Sequence, residues 1–361
     1  MKVLIAAGGT GGHIYPGIAV AKEILRRDAS SEVLFVGTAK GLETKIVPEN
    51  GFELSLINSA GLKNVGFAGK LKGVFVLPKS FLEARRLVKN FQPDVVVGAG
   101  GYVTGSVLLM ASLLRVPTLV MDSNALPGFT NRRLAPFVTK AALTFEEAVK
   151  FFGKKGVVTG NPVRQEFFDI APKARDNNNF CVLIFGGSQG ARAINNAMID
   201  ALKNLQAFKN QLQITHQTGE ADFETVRAGY AENDWKTADV RKYISAIVAE
   251  FAKSDFVISR AGATTCAELC AAGKAAIMIP LPTAADDHQR KNAEALVEKG
   301  AARMILQKDL SGETLAREIK DLIEKPETIS QMETAARALA RRDAAEVTVD
   351  LIEELAADKR R

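Results

Sequence analysis

The sequence predicts an α/β protein made of two tandem domains, each a doubly wound parallel sheet, and three features carry that prediction. Residues 2–17 read KVLIAAGGTGGHIYPG, an apolar run of strand length that passes through four glycines into a helical pattern. Residues 182–191, VLIFGGSQGA, repeat the design. Around both, continuous apolar runs alternate with helical patterns, as in a parallel sheet covered on both faces, with right-handed crossovers.

In chain order, residues 3–7 form the first strand. Gly8, Gly9, Gly11 and Gly12 crowd the turn around Thr10, where glycine permits left-handed dihedrals and close approach of a ligand. Ile18, Ala19, Ala21, Ile24 and Leu25 recur three and four apart, which predicts a helix over 18–27 with Pro16 in its first turn. Strands at 32–37 and 52–57 follow, then a basic segment, a helix at 82–90 and an apolar strand from 94 that runs into Gly98, Gly100 and Gly101. A helix at 103–114, a strand at 118–121, a helix at 130–135 and strands at 140–144 and 157–159 complete a first domain of residues 1–160. Residues 161–179, with Pro162, Pro172 and a run of Asp176 and three asparagines, read as a linker.

The alternation restarts at Phe180 and continues through strands at 213–217, 240–243, 256–259 and 275–279, a second domain of residues 180–342. After Pro280, LPTAADDHQRKNA reads as a polar loop without helical pattern, either an ordinary surface loop begun by proline or a ligand-reading segment at a strand's carboxyl end. From Ala335 the tail is helical. Asp343 and Glu346 have the spacing of a capping box, and Val347, Leu351, Ile352 and Leu355 form one apolar face, so a helix of about 343–361 is expected to pack back on the first domain. Ligands of such sheets bind outside the carboxyl ends of the strands, which makes a cleft between the domains the expected active site.

Composition narrows the class. The 361 residues are 47% apolar, enough for two cores, and three cysteines without pairing pattern argue against a secreted disulfide scaffold. Cys181, Cys266, Cys270 and the scattered histidines read as packing residues rather than metal ligands. With no leader pattern and no membrane-spanning run, the expectation is a cytosolic, reduced protein. The net charge of +6 is uneven: Lys63, Lys70, Lys72, Lys79, Arg85, Arg86 and Lys89 face one acid, Glu83, and are interleaved with Phe67, Leu71, Phe75, Leu77 and Phe81. For 82–91 this reads as an amphipathic helix packed on the sheet. For 66–81 it reads as a face on an anionic bilayer, with Phe75, Leu77, Phe81, Lys72 and Lys79 toward the membrane.

Three ligands compete for the glycine turns. A P-loop needs Lys-Ser or Lys-Thr after the last glycine, and neither turn has it. A dinucleotide fingerprint counted from Gly9 and Gly11 meets Ile14 at its third position, and the second strand ends in Val36-Gly37 with no ribose acid. The third is a sugar nucleotide. Residues 260–268, RAGATTCAE, follow a strand directly: Gly262 and Ala263 permit a tight turn, and Thr264 and Thr265 supply hydroxyls and N–H groups at a helix start. Glu268, one helical turn on, can accept both ribose hydroxyls.

GGTGGH near the N-terminus, GGYVTG at 100–105, GNPVR at 160–164, GGSQGA at 186–191, HQTG at 216–219, RAGATTCAE at 260–268 and HQRKNA at 288–293 occur in the order and spacing of one family. The chain resembles the MurG family, the UDP-N-acetylglucosamine:undecaprenyl-diphospho-muramoylpentapeptide N-acetylglucosaminyltransferases of bacterial cell-wall synthesis, from the first strand to the tail. That resemblance implies a two-domain GT-B fold and inverting transfer of N-acetylglucosamine to O4 of a lipid-linked muramoyl-pentapeptide. It implies a peripheral enzyme at the cytoplasmic face of the bacterial inner membrane, with no cofactor and no nucleic-acid partner. It also implies that Ser188 and the Ala263, Thr264, Thr265 turn contact the diphosphate, Glu268 the ribose, the backbone of Ile244 the uracil, and Arg164 and Gln289 the donor, while Thr10, Gly11, Gly12 and Asn124 line the sugar and acceptor side. Where the family shows Glu-Gln-Asn, this chain has Asp122, Ser123, Asn124, one methylene shorter at the acid.

Displacement at an anomeric carbon needs a base on the acceptor hydroxyl and stabilisation of the departing UDP. With no Asp-x-Asp pair to hold a divalent metal, the helix start at Thr264 and the Ser188 turn are expected to meet the diphosphate with N–H dipoles. His13 is the first candidate base, the alternative being a ring that caps the helix or bonds the opposite loop, and Asp122 is the second. Rival readings are another enzyme of the same fold, such as a glycolipid synthase or a UDP-N-acetylglucosamine 2-epimerase, and a non-catalytic sensor of sugar nucleotides at the membrane.

Overall fold

The computed structural model describes the chain except residues 40, 59–66, 175–178 and 361, and of residues 67–77, 102, 285 and 360 it describes the backbone alone. The described chain divides into two units, Met1–Arg164 with Arg341–Arg361, and Gln165–Ala340.

In the first unit β1 (Lys2–Ala7), α1 (Gly11–Arg27), β2 (Glu32–Gly37), α2 (Glu43–Glu49), β3 (Glu53–Leu56), α3 (Phe67–Phe91), β4 (Val95–Gly100), α4 (Tyr102–Leu113), β5 (Thr118–Asp122), α5 (Phe129–Leu134), β6 (Lys140–Leu143) and β7 (Gly156–Val158) alternate. The strands form one parallel sheet in the order β3-β2-β1-β4-β5-β6-β7. Val3 lies opposite Val33 on one side and Val95 on the other, and Val3 through Ala7 are wholly buried, which is why this strand reads as an unbroken apolar run. The order reverses between β1 and β4, so both carry their turns to the switch point where ligands of such sheets bind.

Two elements begin earlier than their patterns suggest. Helix α1 starts at Gly11 rather than at Pro16, which lies inside it. Gly11 and Gly12 have no side chains to mark a face, and Pro16, which cannot bond the carbonyl of Gly12, is nonetheless buried with Ile14, Gly17 and Ile18 against the sheet. Helix α3 runs from Phe67 with Pro78 inside it. Its later part has a buried face of Ser80, Ala84 and Val88 at four-residue spacing, while Leu82 is exposed. Of the residues assigned to a membrane face, Lys79 is exposed and Phe81 half-buried, whereas the side chains of Lys72, Phe75 and Leu77 lie outside the described residues.

The second unit opens with α6 (Gln165–Phe168), then β8 (Phe180–Phe185), α7 (Arg192–Leu202), β9 (Leu212–Gln217), α8 (Phe223–Glu232), β10 (Asp239–Arg241), α9 (Ile247–Lys253), β11 (Phe256–Ser259), α10 (Ala263–Ala272), β12 (Ala275–Met278), α11 (His288–Glu298), β13 (Ala302–Met304), α12 (Gly312–Glu324) and α13 (Pro326–Ala338). Its six parallel strands run β10-β9-β8-β11-β12-β13, so the switch point lies between β8 and β11. The stretch read as a linker is partly built into this unit. Phe167 is buried edge-on against Phe251 at 5.1 Å, Ile170 is buried, and Lys173 pairs with Asp255 at 2.7 Å; residues 175–178 lie outside the described residues. HQRKNA is the first part of α11 rather than a loop: its inward face is Asn292, Ala293 and Leu296, and a buried asparagine hides the apolar period.

Helix α14 (Ala344–Arg360) belongs to the first unit. Val349, Ile352, Leu355 and Ala356 are buried in the same core as Ile14, Ile18 and Val97. Arg27 of α1 bonds Asp350 at 2.6 Å and Glu353 at 3.0 Å, and Lys140 of β6 bonds Glu354 at 2.6 Å. The capping box read from Asp343 and Glu346 is not what the side chains do: Asp343 accepts from Arg341 at 3.3 Å, and Glu346 turns to Arg26 at 4.0 Å.

Candidate active site

In the first unit the β1–α1 turn is held from two sides. Gly9 adopts a φ of 89°, the left-handed region that favours glycine. The Gly8 N–H donates to the Gly100 carbonyl at 3.2 Å, and a Cβ on Gly101 would stand 2.3 Å from the Gly8 oxygen, so the β4–α4 turn fits only as glycine. On the other side Glu43, at the start of α2 and completely buried, accepts from the Gly9 N–H at 2.9 Å, the Thr38 N–H at 2.8 Å and the Thr38 hydroxyl at 2.9 Å.

Thr10 is exposed and occupies the N-cap position of α1 without a side-chain cap bond. Its carbonyl accepts from the N–H groups of His13 and Ile14 at 3.1 and 3.3 Å. No acid stands in this first turn, where Gly11 and Gly12 bring their N–H groups to the positive end of a 17-residue helix. The His13 ring packs on Gly100, and its Nδ1 is 3.2 Å from the Gly8 carbonyl. A carbonyl only accepts, so Nδ1 carries the proton and the neutral ring has its lone pair on Nε2. Arg164 lays its guanidinium over the Tyr15 ring at 5.1 Å, bringing the end of GNPVR to α1.

Asp122 ends β5 and faces inward. One carboxylate oxygen accepts from the backbone and side chain of Asn124 at 3.0 and 3.3 Å, and the other from the Gly128 N–H at 2.9 Å and Asn131 at 2.8 Å. Burial pushes its pKa up, opposed by those four donors. The carboxylate therefore organises the loop that carries Asn124, and Ser123 in the same loop donates to Asn161 of GNPVR at 3.2 Å.

In the second unit the candidate residues follow the carboxyl ends of adjacent strands. After β8, Gly187 and Gly190 take φ of 95° and 74°, and a Cβ on Gly190 would stand 1.8 Å from the Thr218 oxygen; Ser188 is exposed at the tip. After β11, Gly262 is the N-cap of α10 and offers no side-chain cap, while Ala263, Thr264 and Thr265 form an acid-free first turn that is partly open to solvent. Glu268 lies one turn along, half-buried. Ile244, after β10, is buried and donates its N–H to Gln217 Oε1 at 2.7 Å. The amide of Gln217 in turn donates to the Gly187 carbonyl at 2.9 Å, so one side chain braces the Ser188 turn against the Ile244 backbone. Gln289, in the first turn of α11, accepts from Leu281 at 3.0 Å, and Asn292 donates to the Ala261 carbonyl at 3.2 Å, tying α11 to the turn before α10.

Ser188, Ile244, the Ala263–Thr265 turn, Glu268 and Gln289 thus share one sheet edge, and Thr10, Gly11, Gly12, His13, Asn124 and Arg164 share the carboxyl edge of the other sheet. Sequence reasoning missed Glu43, Tyr15, Asn131 and Gln217. Gln217 stands in the HQTG motif and Tyr15 two residues past the end of GGTGGH, so proximity was their only signal; Glu43 and Asn131 had none.

Comparison with known proteins follows the same division. The N-terminal domain of glycosyltransferase family 28 matches residues 3–143 and its C-terminal domain residues 181–348. A Myxococcus xanthus protein named UDP-N-acetylglucosamine–N-acetylmuramyl-(pentapeptide) pyrophosphoryl-undecaprenol N-acetylglucosamine transferase is 46% identical over 357 residues, covering 98% of this chain and 93% of its own. The crystal structure of Acinetobacter baumannii MurG is similar with a TM-score of 0.78 at 31% identity, over 98% of this chain and 99% of that one. A UDP-N-acetylglucosamine 2-epimerase of Neisseria meningitidis, bound to its sugar nucleotide, has a TM-score of 0.69 at 15% identity over 98% of this chain and 100% of that one, a likeness of fold alone.

Proposed function

The chain belongs to the MurG family of N-acetylglucosamine transferases, and from that premise we propose which of its residues carry the reaction. The enzyme moves N-acetylglucosamine from its uridine diphosphate donor to a lipid-linked muramyl-pentapeptide acceptor.

The donor is bound by the second unit. The open first turn of α10 aims N–H groups and the hydroxyls of Thr264 and Thr265 at the diphosphate, with Ser188 on the neighbouring turn. Glu268 accepts from the ribose. The Ile244 carbonyl takes the uracil N3–H, since the Ile244 N–H is engaged by Gln217. Gln289 completes the donor contacts of this unit, and Arg164, the last residue of the first unit, is the one donor contact assigned outside it. As the anomeric C–O bond breaks, charge grows on the diphosphate where these dipoles are already aligned. The observation that supports this assignment most directly is that the α10 start and the Ser188 turn flank one switch point.

The acceptor is bound by the first unit, with Thr10, Gly11, Gly12 and Asn124 on its side. His13 Nε2 removes the proton from the attacking O4 hydroxyl, and the sugar is transferred with inversion. Asp122 serves as the organiser of the Asn124 loop, its four donors leaving it poorly suited to accept that proton. The lipid end implies a bilayer beside this unit. Among the described residues no helix is long and apolar enough to cross a membrane. A peripheral contact through the start of α3, with Lys72, Phe75, Leu77, Lys79 and Phe81 on an anionic inner-membrane surface facing the cytoplasm, suits the basic and apolar composition of that stretch, and no nucleic acid is needed as a partner.

The test is a transfer assay with labelled UDP-N-acetylglucosamine and a short-chain lipid-linked muramoyl-pentapeptide. Label is expected in the lipid, with UDP released only when acceptor is present; UDP released without acceptor would instead fit an epimerase-like site. In His13→Ala, kcat is expected to fall about a hundredfold or more with donor KM within about threefold. Near-normal turnover in that variant would remove His13 as the base.

A further inference from the structure

We infer that Glu43 is a positioning residue for catalysis, acting through the β1–α1 turn on the tautomer and orientation of His13. The glycines around its side chain make room for it: a Cβ on Gly41 would stand 1.8 Å from a Glu43 oxygen, one on Gly37 2.5 Å from Glu43 Cγ, and one on Gly8 2.8 Å from Oε1. A carboxylate accommodated by three glycines and completely buried has a costly site to occupy, and its bonds say what it does there. It takes the N–H of Gly9 and both donors of Thr38. Leu42, beside it in sequence, donates to the Gly9 carbonyl at 3.4 Å, so the start of α2 engages both polar groups of the Gly9 backbone.

The peptide plane thus anchored joins Gly9 to Gly8, whose carbonyl receives His13 Nδ1 at 3.2 Å. Holding the Gly9 N–H toward Glu43 holds the Gly8 oxygen of that same peptide on the opposite side, because the amide is planar and trans. That oxygen is what keeps the proton on Nδ1 and the lone pair on Nε2. Glu43 never needs to meet substrate: it sets a dihedral, the dihedral sets a carbonyl, and the carbonyl sets the ring. Among the described residues, the charged groups on the segments around this turn are Glu43 on α2, Arg164 stacked on Tyr15 of α1, and Asp122 at the end of β5, two strands from β1 in the sheet; the β4–α4 turn of Gly100, Gly101 and Thr104 carries none.

The inference rests on His13 being the base, and its test separates the two. Glu43→Gln keeps the volume but offers an amide NH2 where an acceptor is required. In the full-length variant kcat is expected to fall about tenfold to a hundredfold with donor KM little changed. The acid limb of its rate profile is expected to move about half a unit or more to lower pH, because both a negative charge and a bond that favours the imidazolium are weakened. Nitrogen-15 NMR of the ring, assigned against His13→Ala, should show Nδ1 protonated in the parent and a tautomer mixture in Glu43→Gln. A general loss of fold would lower the melting temperature but leave the acid limb where it was. Should Glu43→Gln fail to fold, Thr38→Val, which deletes one bond to the carboxylate, is expected to show smaller changes of the same sign. A changed tautomer with unchanged rate upholds the coupling and overturns the base assignment. A folded variant with the parent's tautomer, rate and acid limb overturns the inference.

Discussion

His216 shows how much a single side chain can be constrained. Asn195 donates its amide to the Thr218 carbonyl and to Asp222, both at 3.0 Å, so its oxygen must accept from His216 Nε2 at 3.1 Å. His216 Nδ1 then accepts from the Tyr230 hydroxyl at 3.1 Å. The ring is neutral and fully buried, and burial pulls its pKa down to about 3. In the unfolded chain it titrates near its usual 6.5, so below that pH the unfolded state binds the extra proton. Its stabilising share is whole above pH 6.5 and is lost as pH falls toward 3, by about 1.4 kcal/mol per pH unit. Denaturant unfolding at pH 7 and pH 5 should show that loss in the parent and much less of it in His216→Gln. HQTG was legible as a motif, but its histidine's work is internal: it ties α7 and α8 to the loop that meets the Ser188 turn.

At the scale of elements, what could be read was whatever repeats locally. The two glycine turns, the apolar strands and the RAGATTCAE helix start announced themselves by composition and period, and β11 covers the residues its pattern suggests. Helix α11 did not, because Asn292 occupies an inward position that the eye expects to be apolar, nor did the start of α1, where glycines leave no face to detect. Asp122 read as a candidate acid because its type and place were visible; its engagement with Gly128 and Asn131 comes from a chain reversal that no period encodes. Gln217 is the same kind of case and can be tested. Gln217→Leu would strip partners from the Gly187 carbonyl and the Ile244 N–H at once, costing about 1–3 kcal/mol of local stability. Donor KM is expected to rise about tenfold in steady-state assays while kcat at saturation changes less, since the fault lies in binding the nucleotide rather than in moving the proton.

On the scale of the molecule, the chain leaves its first unit at Arg164, builds the second to Ala340, and returns to finish the first with α14. The apolar stripe of this helix was readable from sequence, but the partners it meets were not: Ile14, Ile18 and Val97 lie more than two hundred residues away. Ile352 is completely buried there, and Ile352→Ala is expected to cost about 2–5 kcal/mol. Because the deficit falls in one unit, hydrogen exchange should quicken across β1, α1 and β4 while β8, β11 and α10 keep their protection, and unfolding should separate into two transitions.

That return crossing also sets a timetable for biosynthesis. A polypeptide emerging from the ribosome usually settles its N-terminal portion before later segments appear. Here the earliest-made lobe must wait, with Ile14 and Ile18 uncovered, until α14 has been translated, whereas the later-made lobe needs nothing beyond Ala340. The nascent chain accordingly carries a sticky open flank throughout most of its synthesis, which is the interval in which a chaperone has something to hold.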